Sequence, residues 1–259
     1  MAALQDLKKA RILVTNDDGY QAPGLEILEE IASQLSDDVW LVAPEVEQSG
    51  AGHSLTLRRP LRVRQRGPRH FSVDGTPTDC VLLAVSKILG DRRPDLVLSG
   101  VNRGGNMGED VTYSGTVAAA MEATFLGVPA IALSQEYDAS DRIDWGAAAD
   151  FAPGIIRRLA AGPWHRDLLY SINFPPCPAE KVKGVRAVAQ GRRSGHIAVI
   201  EGRDPKGRPY MWIGDYTDES SDQPGTDLEA VAHHAVAVTP LHLDLTHAPS
   251  LEPLDTLLR

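Results

Sequence analysis

Short runs of continuous apolar residues, separated by segments with helical spacing, limit the fold of this sequence more than any other feature. Between the runs, apolar residues recur three or four positions apart, as at Leu25, Leu28 and Ile31. The first four runs lie at residues 12–15, 39–43, 96–99 and 129–133. Strands that are apolar throughout are covered on both faces, so helices must pack on both sides of one sheet. The sequence therefore predicts an α/β fold: a doubly wound, mostly parallel, Rossmann-like sheet with right-handed crossovers.

The pattern changes after Pro175. Residues 197–202 and 209–214 flank a turn sequence at 204–207, which is typical of a β-hairpin. A two-stranded hairpin buries little of its own apolar surface. We therefore predict a protruding C-terminal arm that packs against another subunit. A hairpin folded back on its own domain is the alternative that the sequence leaves open.

These patterns divide the chain into two parts. Residues 1–190 form the predicted α/β catalytic domain, which residues 225–259 complete. Residues 191–224 form the predicted β-hairpin oligomerisation arm. We find no internal repeat and no low-complexity segment that would suggest a further division.

Three polar loops follow three of the predicted strands. They lie at residues 16–19, 48–52 and 100–106, and each is rich in glycine or in polar side chains. The carboxyl ends of parallel strands meet at one edge of a sheet, and ligands bind in the crevice outside that edge. We therefore expect these three loops, far apart in sequence, to converge on one site.

The loop after the first strand carries two adjacent carboxylates, Asp17 and Asp18. Together with a hydroxyl and a carboxamide in the other loops, they form a hard oxygen donor set that suits Mg²⁺, Mn²⁺ or Ca²⁺ rather than zinc or copper. Neighbouring carboxylates repel each other, and a divalent cation compensates them. The simpler interpretation is a turn with both side chains in water. The position at a strand end favours the metal site.

Ser114, Gly115 and Thr116 begin a predicted Ala-rich helix. The free N–H groups of a helix N-terminus bind anions. Either hydroxyl could equally serve only as the N-cap of the helix, and the sequence alone does not choose between the two roles. Beside a hard-metal site, phosphate is the most economical ligand for this segment. Asn106, in the third loop, could contact the same anion.

Composition excludes several functions. The formal net charge of −9 argues against binding to duplex nucleic acid. The basic stretch at residues 58–69 alternates like a strand with one solvated face, which we favour over a role in gathering anionic substrate. The first ten residues lack the apolar core of a signal peptide, and no run has the length of a membrane span. We expect a cytoplasmic protein without a membrane partner.

Other catalytic templates do not fit. The sequence contains no GxxxxGK[ST] loop, no HExxH helix and no GxSxG turn. Haloacid-dehalogenase-type phosphatases use the first aspartate of a DxD triplet as nucleophile. Here the corresponding triplet begins with Asn16, so we disfavour that mechanism.

The loops and their flanks resemble the SurE survival-protein family of 5′/3′-nucleotidases. In chain order, the motifs are ILVTNDDG and APG within residues 12–24, SGA and SLT within 49–56, GTPTDC at 75–80, SGVN at 99–102, YSGTVAAAME at 113–122, GTD at 225–227 and TPL at 239–241. The matches are dense from residue 11 to 134 and sparser to 246. The arm region departs most from the family pattern.

The resemblance implies which residues bind the cofactor and the substrate. One divalent cation per subunit, Mg²⁺ or Mn²⁺, is expected to bind Asp17, Asp18, Ser49 and Asn102. The substrate phosphate is expected to bind Asn106, Ser114, Gly115 and Thr116. The resemblance also implies a homodimer or homotetramer in which the hairpin and the C-terminal segment are exchanged between subunits.

These features together predict a divalent-metal-dependent phosphomonoesterase. Its expected reaction is the hydrolysis of nucleoside 5′- and 3′-monophosphates to nucleoside and phosphate, with Asp17 or Asp18 as the catalytic base. One alternative is a non-catalytic phosphate- or nucleotide-binding module on the same fold. Another is a glycosyltransferase that uses the acidic pair to bind a metal-diphosphate, for which we see no supporting set of aromatic residues.

Overall fold

The computed structural model describes residue 4 and residues 6–138, 140–217 and 223–259. Residues 218–222 of the predicted arm, and residues 1–3, 5 and 139 of the predicted catalytic domain, lie outside this range. The strands are β1 (Arg11–Thr15), β2 (Asp38–Pro44), β3 (Val63–Gly67), β4 (His70–Val73), β5 (Leu96–Arg103), β6 (Ala130–Gln135), β7 (Leu168–Phe174), β8 (Val185–Ala187), β9 (Ile197–Arg203), β10 (Pro209–Tyr216) and β11 (Val236–His242).

Nine of these strands form one sheet in the order β3-β4-β2-β1-β5-β6-β7-β11-β8. The six strands from β4 to β7 in this order run parallel, which confirms the predicted fold class. β3 and β11 are antiparallel to their neighbours β4 and β7. The chain moves outward from β1 to β2 and later returns to the other side of β1 as β5. The crevice between the ends of β1 and β5 is therefore the topological switch point of the sheet.

Helices cover both faces of the sheet. They are α1 (Pro23–Leu35), α2 (Pro77–Leu83, extended by a π-helical turn over Ala84–Ile88), α3 (Gly115–Phe125), α4 (Gly146–Ala161) and α5 (Asp227–Ala232). A further helix, α6 (Leu251–Leu258), is exposed along its whole length. The side chain of Thr76 caps α2 by accepting the N–H of Asp79, and the Asp79 carboxylate accepts the N–H of Thr76. This reciprocal capping box explains why the helix begins at Pro77.

Two apolar cores lie on opposite faces of the sheet. Alternate residues of β1 belong to different cores: Ile12 and Val14 pack with α1 and α4, and Leu13 packs with α2 and α3. All three side chains are fully buried. Truncating any of them to alanine is expected to cost about 2–5 kcal/mol. The first strand is thus fixed from both sides, and so is the loop that follows it.

The predicted hairpin is present. β9 and β10 pair antiparallel and form a separate two-stranded sheet. A tight turn joins them, in which the side chain of Asp204 accepts the N–H groups of Lys206 and Arg208. Within the described part of the chain, no helix combines the length and apolar character needed to cross a membrane.

Candidate active site

The candidate site lies at the switch point, where the chain approaches itself closely. Asp17 and Asp18 follow β1, and Asn102 lies near the end of β5. The first turn of α1 packs directly on β5. A Cβ atom at Gly24 would lie 1.9 Å from the carbonyl oxygen of Val101, so only glycine fits there. This contact holds the loop between β1 and α1 beside the end of β5.

Asp17 is buried, with 4% of its surface exposed. The hydroxyl of Thr116 donates a hydrogen bond to its carboxylate. The N-terminus of α3 approaches this carboxylate because residue 115 is glycine: a Cβ atom there would lie 2.7 Å from the Cβ of Asp17. Burial raises the pKa of Asp17, and hydrogen bonds from Thr116 and from nearby main-chain N–H groups partly offset that increase.

Asp18 is only partly buried and accepts the main-chain N–H of Arg103 at 3.2 Å. Burial, followed by the charge of Asp17, raises the pKa of Asp18 to about 6. The charge of Glu47 adds to this increase, and hydrogen bonding and charge from Arg103 oppose it. Both carboxylates therefore carry an electrostatic cost when ionised, which a divalent cation between them would remove.

Asn102 and Ser49 are the neutral ligands that the sequence analysis expected. The Asn102 amide nitrogen donates to the carbonyl of Gly104 at 2.8 Å. Its oxygen has no donor within the described residues and can therefore serve as a ligand. Ser49 follows Gln48, whose N–H donates to the main-chain oxygen of Asp17 at 2.8 Å. The structure thus brings the second loop to Asp17, with the Ser49 hydroxyl donating to Glu47 at 2.7 Å.

The donor set is consistent with a hard cation. No cluster of three or more His, Cys, Asp or Glu side chains suited to a metal occurs in residues 6–138, 140–217 and 223–259. A site at the switch point would therefore depend on two carboxylates supplemented by neutral oxygens. Such a mixture is typical of Mg²⁺ and Mn²⁺ sites and unlike the Cys- and His-rich sites of zinc.

Two of the four predicted anion ligands, Ser114 and Asn106, are held by side-chain hydrogen bonds. Ser114 is the N-cap of α3, and its side-chain oxygen accepts the N–H of Val117 at 3.1 Å. Asn106 donates its main-chain N–H to the Asn173 side chain and its amide nitrogen to the Ser134 hydroxyl, each at 2.8 Å. Ser114 and Asn106 are each 7% exposed. Ser114 therefore does act as the N-cap of α3. Its side-chain oxygen accepts a hydrogen bond in this role, so its hydroxyl proton remains available to donate to an anion.

Sequence reasoning missed Ser134 and Asn173. Ser134 lies near the end of β6, and Asn173 near the end of β7. The strand-end rule that identified Asp17 applies equally to these two positions. Polar residues near the ends of buried parallel strands were thus a signal in the sequence that we did not use.

Comparison with known proteins identifies the family of this chain. The sequence profile described as Survival protein SurE matches residues 12–196. A 5′-nucleotidase SurE from Paramagnetospirillum magneticum is 55% identical over 251 residues, covering 97% of this chain and 96% of the relative. Its counterpart from Rhodospirillum rubrum is 54% identical over 254 residues, covering 97% of each chain. The chain belongs to the SurE survival protein family.

A solved structure of the SurE family has the same fold. The crystal structure of the SurE protein from Aquifex aeolicus is 39% identical and superposes with a TM-score of 0.84. The match covers 96% of this chain and 100% of that one. The match therefore includes the arm region as well as the α/β body.

Two clefts in this member of the SurE family are lined by Arg103. The first, of about 400 Å³, also contacts Asp18, Glu47 and Trp145. The second, of about 680 Å³, runs toward the base of the arm and contains the aromatic side chains of Tyr113, Tyr137 and Tyr216. The sequence analysis assigned no role to Arg103 or Glu47.

A hydrogen-bonded junction ties the base of the arm to the SurE body. Arg193 donates to Asp110 at 2.5 Å, and its guanidinium lies 4.6 Å from the ring of Tyr216 in β10. The buried Asp227 carboxylate accepts the N–H groups of Gly191 at 2.7 Å and Gly108 at 3.1 Å. The start of the arm is therefore bonded to the loop that leads to Ser114.

Proposed function

We propose that this chain is a divalent-metal-dependent phosphomonoesterase that hydrolyses nucleoside 5′- and 3′-monophosphates. The observation that carries the proposal is the pair of carboxylates at the switch point, where the buried Asp17 contacts the N-terminus of α3 and the partly buried Asp18 faces the cleft. That arrangement combines a place for a cation with a place for an anion. The relatives' name, 5′-nucleotidase SurE, indicates the class of substrate.

Asp17, Asp18, Ser49 and Asn102 would hold one Mg²⁺ or Mn²⁺. The raised pKa values of the two carboxylates and the oxygen-only donor set support this assignment. When bound, the cation polarises the phosphoryl oxygens and favours ionisation of a water molecule. Ser49, whose hydroxyl donates to Glu47 in this structure, would turn it toward the cation.

The protein groups would position the phosphate and accept a proton. Asp18 lines the open cleft, whereas Asp17 is held by Thr116, so Asp18 is the better-placed base. The oxygen of the attacking water bonds to phosphorus as the ester P–O bond breaks. Asp18 accepts the water proton, and the leaving nucleoside oxygen takes a proton from solvent. The products are nucleoside and orthophosphate.

The start of α3 would bind the phosphoryl oxygens during this transfer. Ser114 can donate its hydroxyl proton, and Gly115 and Thr116 contribute main-chain N–H groups. Since the Thr116 hydroxyl already donates to Asp17, we assign Thr116 a main-chain role only. Asn106, fixed by Ser134 and Asn173, would complete the anion site.

The arm supports an oligomer in which subunits exchange C-terminal elements. Its large apolar side chains are exposed, with Trp212 at 65% and Ile213 at 81%. The exposed C-terminal helix α6 also carries leucines, including Leu257 and Leu258. A homodimer or homotetramer would cover these surfaces by symmetry, each subunit burying the other's arm.

A phosphate-release panel tests the proposed activity. Purified protein would be dialysed against chelator and then assayed with Mg²⁺, Mn²⁺ or Ca²⁺ on all 5′- and 3′-nucleoside monophosphates and on p-nitrophenyl phosphate. We expect release only with added metal, with nucleoside monophosphates preferred. Tight binding of nucleotide without phosphate release under any metal would instead identify a non-catalytic binding module.

A further inference from the structure

We propose that Arg103 is a further catalytic residue, whose guanidinium contacts the phosphoryl oxygens of the substrate on the Asp18 side of the site. The inference rests on the proposed phosphomonoesterase function and extends its anion-binding groups beyond the start of α3. The structural features that support it are the anchored main chain of Arg103, a side chain without a hydrogen-bond or ion-pair partner among the described residues, and its position between the two clefts.

The main chain of Arg103 is fixed beside the carboxylates. Its N–H donates to Asp18 at 3.2 Å, and as the last residue of β5 it pairs in register with Gln135 of β6. Gly104 follows with φ of 101°, and its N–H donates to the Gln135 carbonyl at 2.9 Å. A Cβ atom at Gly104 would lie 3.0 Å from the ring of Tyr137. The Cα atom of Arg103 therefore has a defined place at the site.

The guanidinium of Arg103, by contrast, makes no hydrogen bond or ion pair with any described residue. Other arginines near the site are paired: Arg66 with Glu45, and Arg193 with Asp110. An anchored backbone with an unpaired guanidinium is what a ligand-binding arginine requires. The planar fork of five donors matches two oxygens of a phosphate group, with shorter and stronger bonds than neutral donors make.

The negative charge of the carboxylates around the first cleft also favours a cationic side chain at position 103. The first cleft is lined by the carboxylates Asp18, Glu47 and Asp141, and Asp17 lies directly behind Asp18. One divalent ion does not neutralise so many carboxylates, so a dianionic phosphate monoester would meet residual negative potential. Arg103 is the only cationic side chain among the described residues that line this cleft. It also lines the second cleft, so a substrate in either cleft would lie beside Arg103.

The test compares Arg103→Gln and Arg103→Lys with Arg158→Gln, a matched charge removal at the exposed far end of α4. Because the Arg103 side chain has no hydrogen-bond or ion-pair partner among the described residues, thermal midpoints should match the wild type. Mn²⁺ binding should be no weaker, since a positive charge that acts on Asp18 is removed. We expect Arg103→Gln to lower kcat/KM for nucleoside monophosphates and p-nitrophenyl phosphate alike by about 100-fold. Arg103→Lys should recover part of the loss, and Arg158→Gln should have no effect.

Orthovanadate binding gives a readout that does not depend on turnover. Calorimetry on the full-length Mg²⁺-loaded protein should show at least about tenfold weaker orthovanadate binding in Arg103→Gln. If the wild type released no phosphate but Arg103→Gln still weakened orthovanadate binding, the proposed activity would fail and the anion contact would stand. If Arg103→Gln kept kcat/KM and orthovanadate affinity within twofold of wild type, the inference would be overturned while the activity stood.

Discussion

The strand-end edge of the sheet and the hairpin arm differ in how much of their surface the chain itself buries. At the edge, β1 is almost fully buried and Asp17 exposes only 4% of its surface. In the arm, Met211, Trp212 and Ile213 expose well over half of theirs. Burying one such side chain is worth about 1.5–3 kcal/mol. The body therefore completes its own core, whereas the arm leaves apolar side chains exposed, which we propose a partner subunit covers.

This difference suggests a division between chemistry and assembly. The proposed catalytic groups lie at strand ends, in the loops that follow them and at the start of α3, next to the packed sheet. The exposed apolar residues lie on β9 and β10, beyond a junction formed by Arg193, Asp110 and Asp227. Changes in the body should therefore affect catalysis, changes at the tip of the arm should affect assembly, and changes at the junction should affect both.

The largest expected effect comes from the carboxylates. Asp17→Asn and Asp18→Asn should each lower kcat by about 1,000-fold or more, because each removes a charge that holds the cation. Thermal stability should remain at or above that of the wild type, since the mutual repulsion of the pair is relieved. Glu30→Gln, an exposed change on α1, is the matched control. Near-normal turnover in either aspartate variant, with Mn²⁺ bound, would mean that the two carboxylates belong to a turn without a catalytic role.

The next effect concerns the arm. Replacing residues 197–214 with a short glycine linker should reduce the oligomer size seen by light scattering or cause aggregation. The point variant Ile213→Asp should weaken assembly while leaving the body folded, because it places a charge on the exposed apolar face. Lys206→Asp, in the exposed turn of the hairpin, is the control. An arm deletion with wild-type size and stability would show that the hairpin is not the interface.

The junction should give an intermediate effect. Asp227→Asn should destabilise the protein by about 1–3 kcal/mol, because an amide offers only one acceptor oxygen. One Asp227 oxygen accepts from Gly191 and Leu228, and the other accepts from Gly108, so one N–H would face an amide NH₂. Urea unfolding measures the change, with the exposed Asp91→Asn as control. An unchanged unfolding midpoint would show that the junction contributes little.

The smallest effect is expected at the start of α3. Ser114→Ala should cost about 1 kcal/mol through loss of the N-cap. It should also raise KM and lower kcat with metal still bound, as should Asn106→Ala, because both residues are assigned to the anion. Ser114→Thr, which retains a hydroxyl, should restore most of the stability. If Ser114→Ala lost the metal but kept its phosphate affinity, Ser114 would be assigned to the metal and not to the anion.

The sequence predicted most of the fold because buried parallel strands leave a clear signal. β1, β5 and β6 are continuous apolar runs, and the helices between them begin at recognisable caps such as Thr76. The short strands β4 and β8 were missed. β8 is only Val185–Ala187 with all three residues exposed, so neither length nor burial marked it. The exposed helix α6 was likewise predicted only as an exchanged C-terminal segment.

The sequence predicted which loops form the site, but it predicted less about the hydrogen bonds that their side chains make. Parallel topology alone places Asp17, Asp18 and Asn102 at one edge. It does not specify that Thr116 donates to Asp17 or that Ser49 donates to Glu47, because these bonds depend on side-chain rotamers. The contact between Gly191 and Asp227 joins residues far apart in sequence, with no local pattern to reveal it.

Manganese titration of the wild-type protein, read simultaneously by electron paramagnetic resonance and by phosphate release, tests the central claim most directly. Chelator-dialysed protein would receive Mn²⁺ stepwise in the presence of a nucleoside 5′-monophosphate. The account predicts one tightly bound Mn²⁺ per chain, release that rises in proportion to occupancy, and loss of both in Asp17→Asn and Asp18→Asn. Full release in excess chelator, or equally tight Mn²⁺ binding by the two variants, would contradict it.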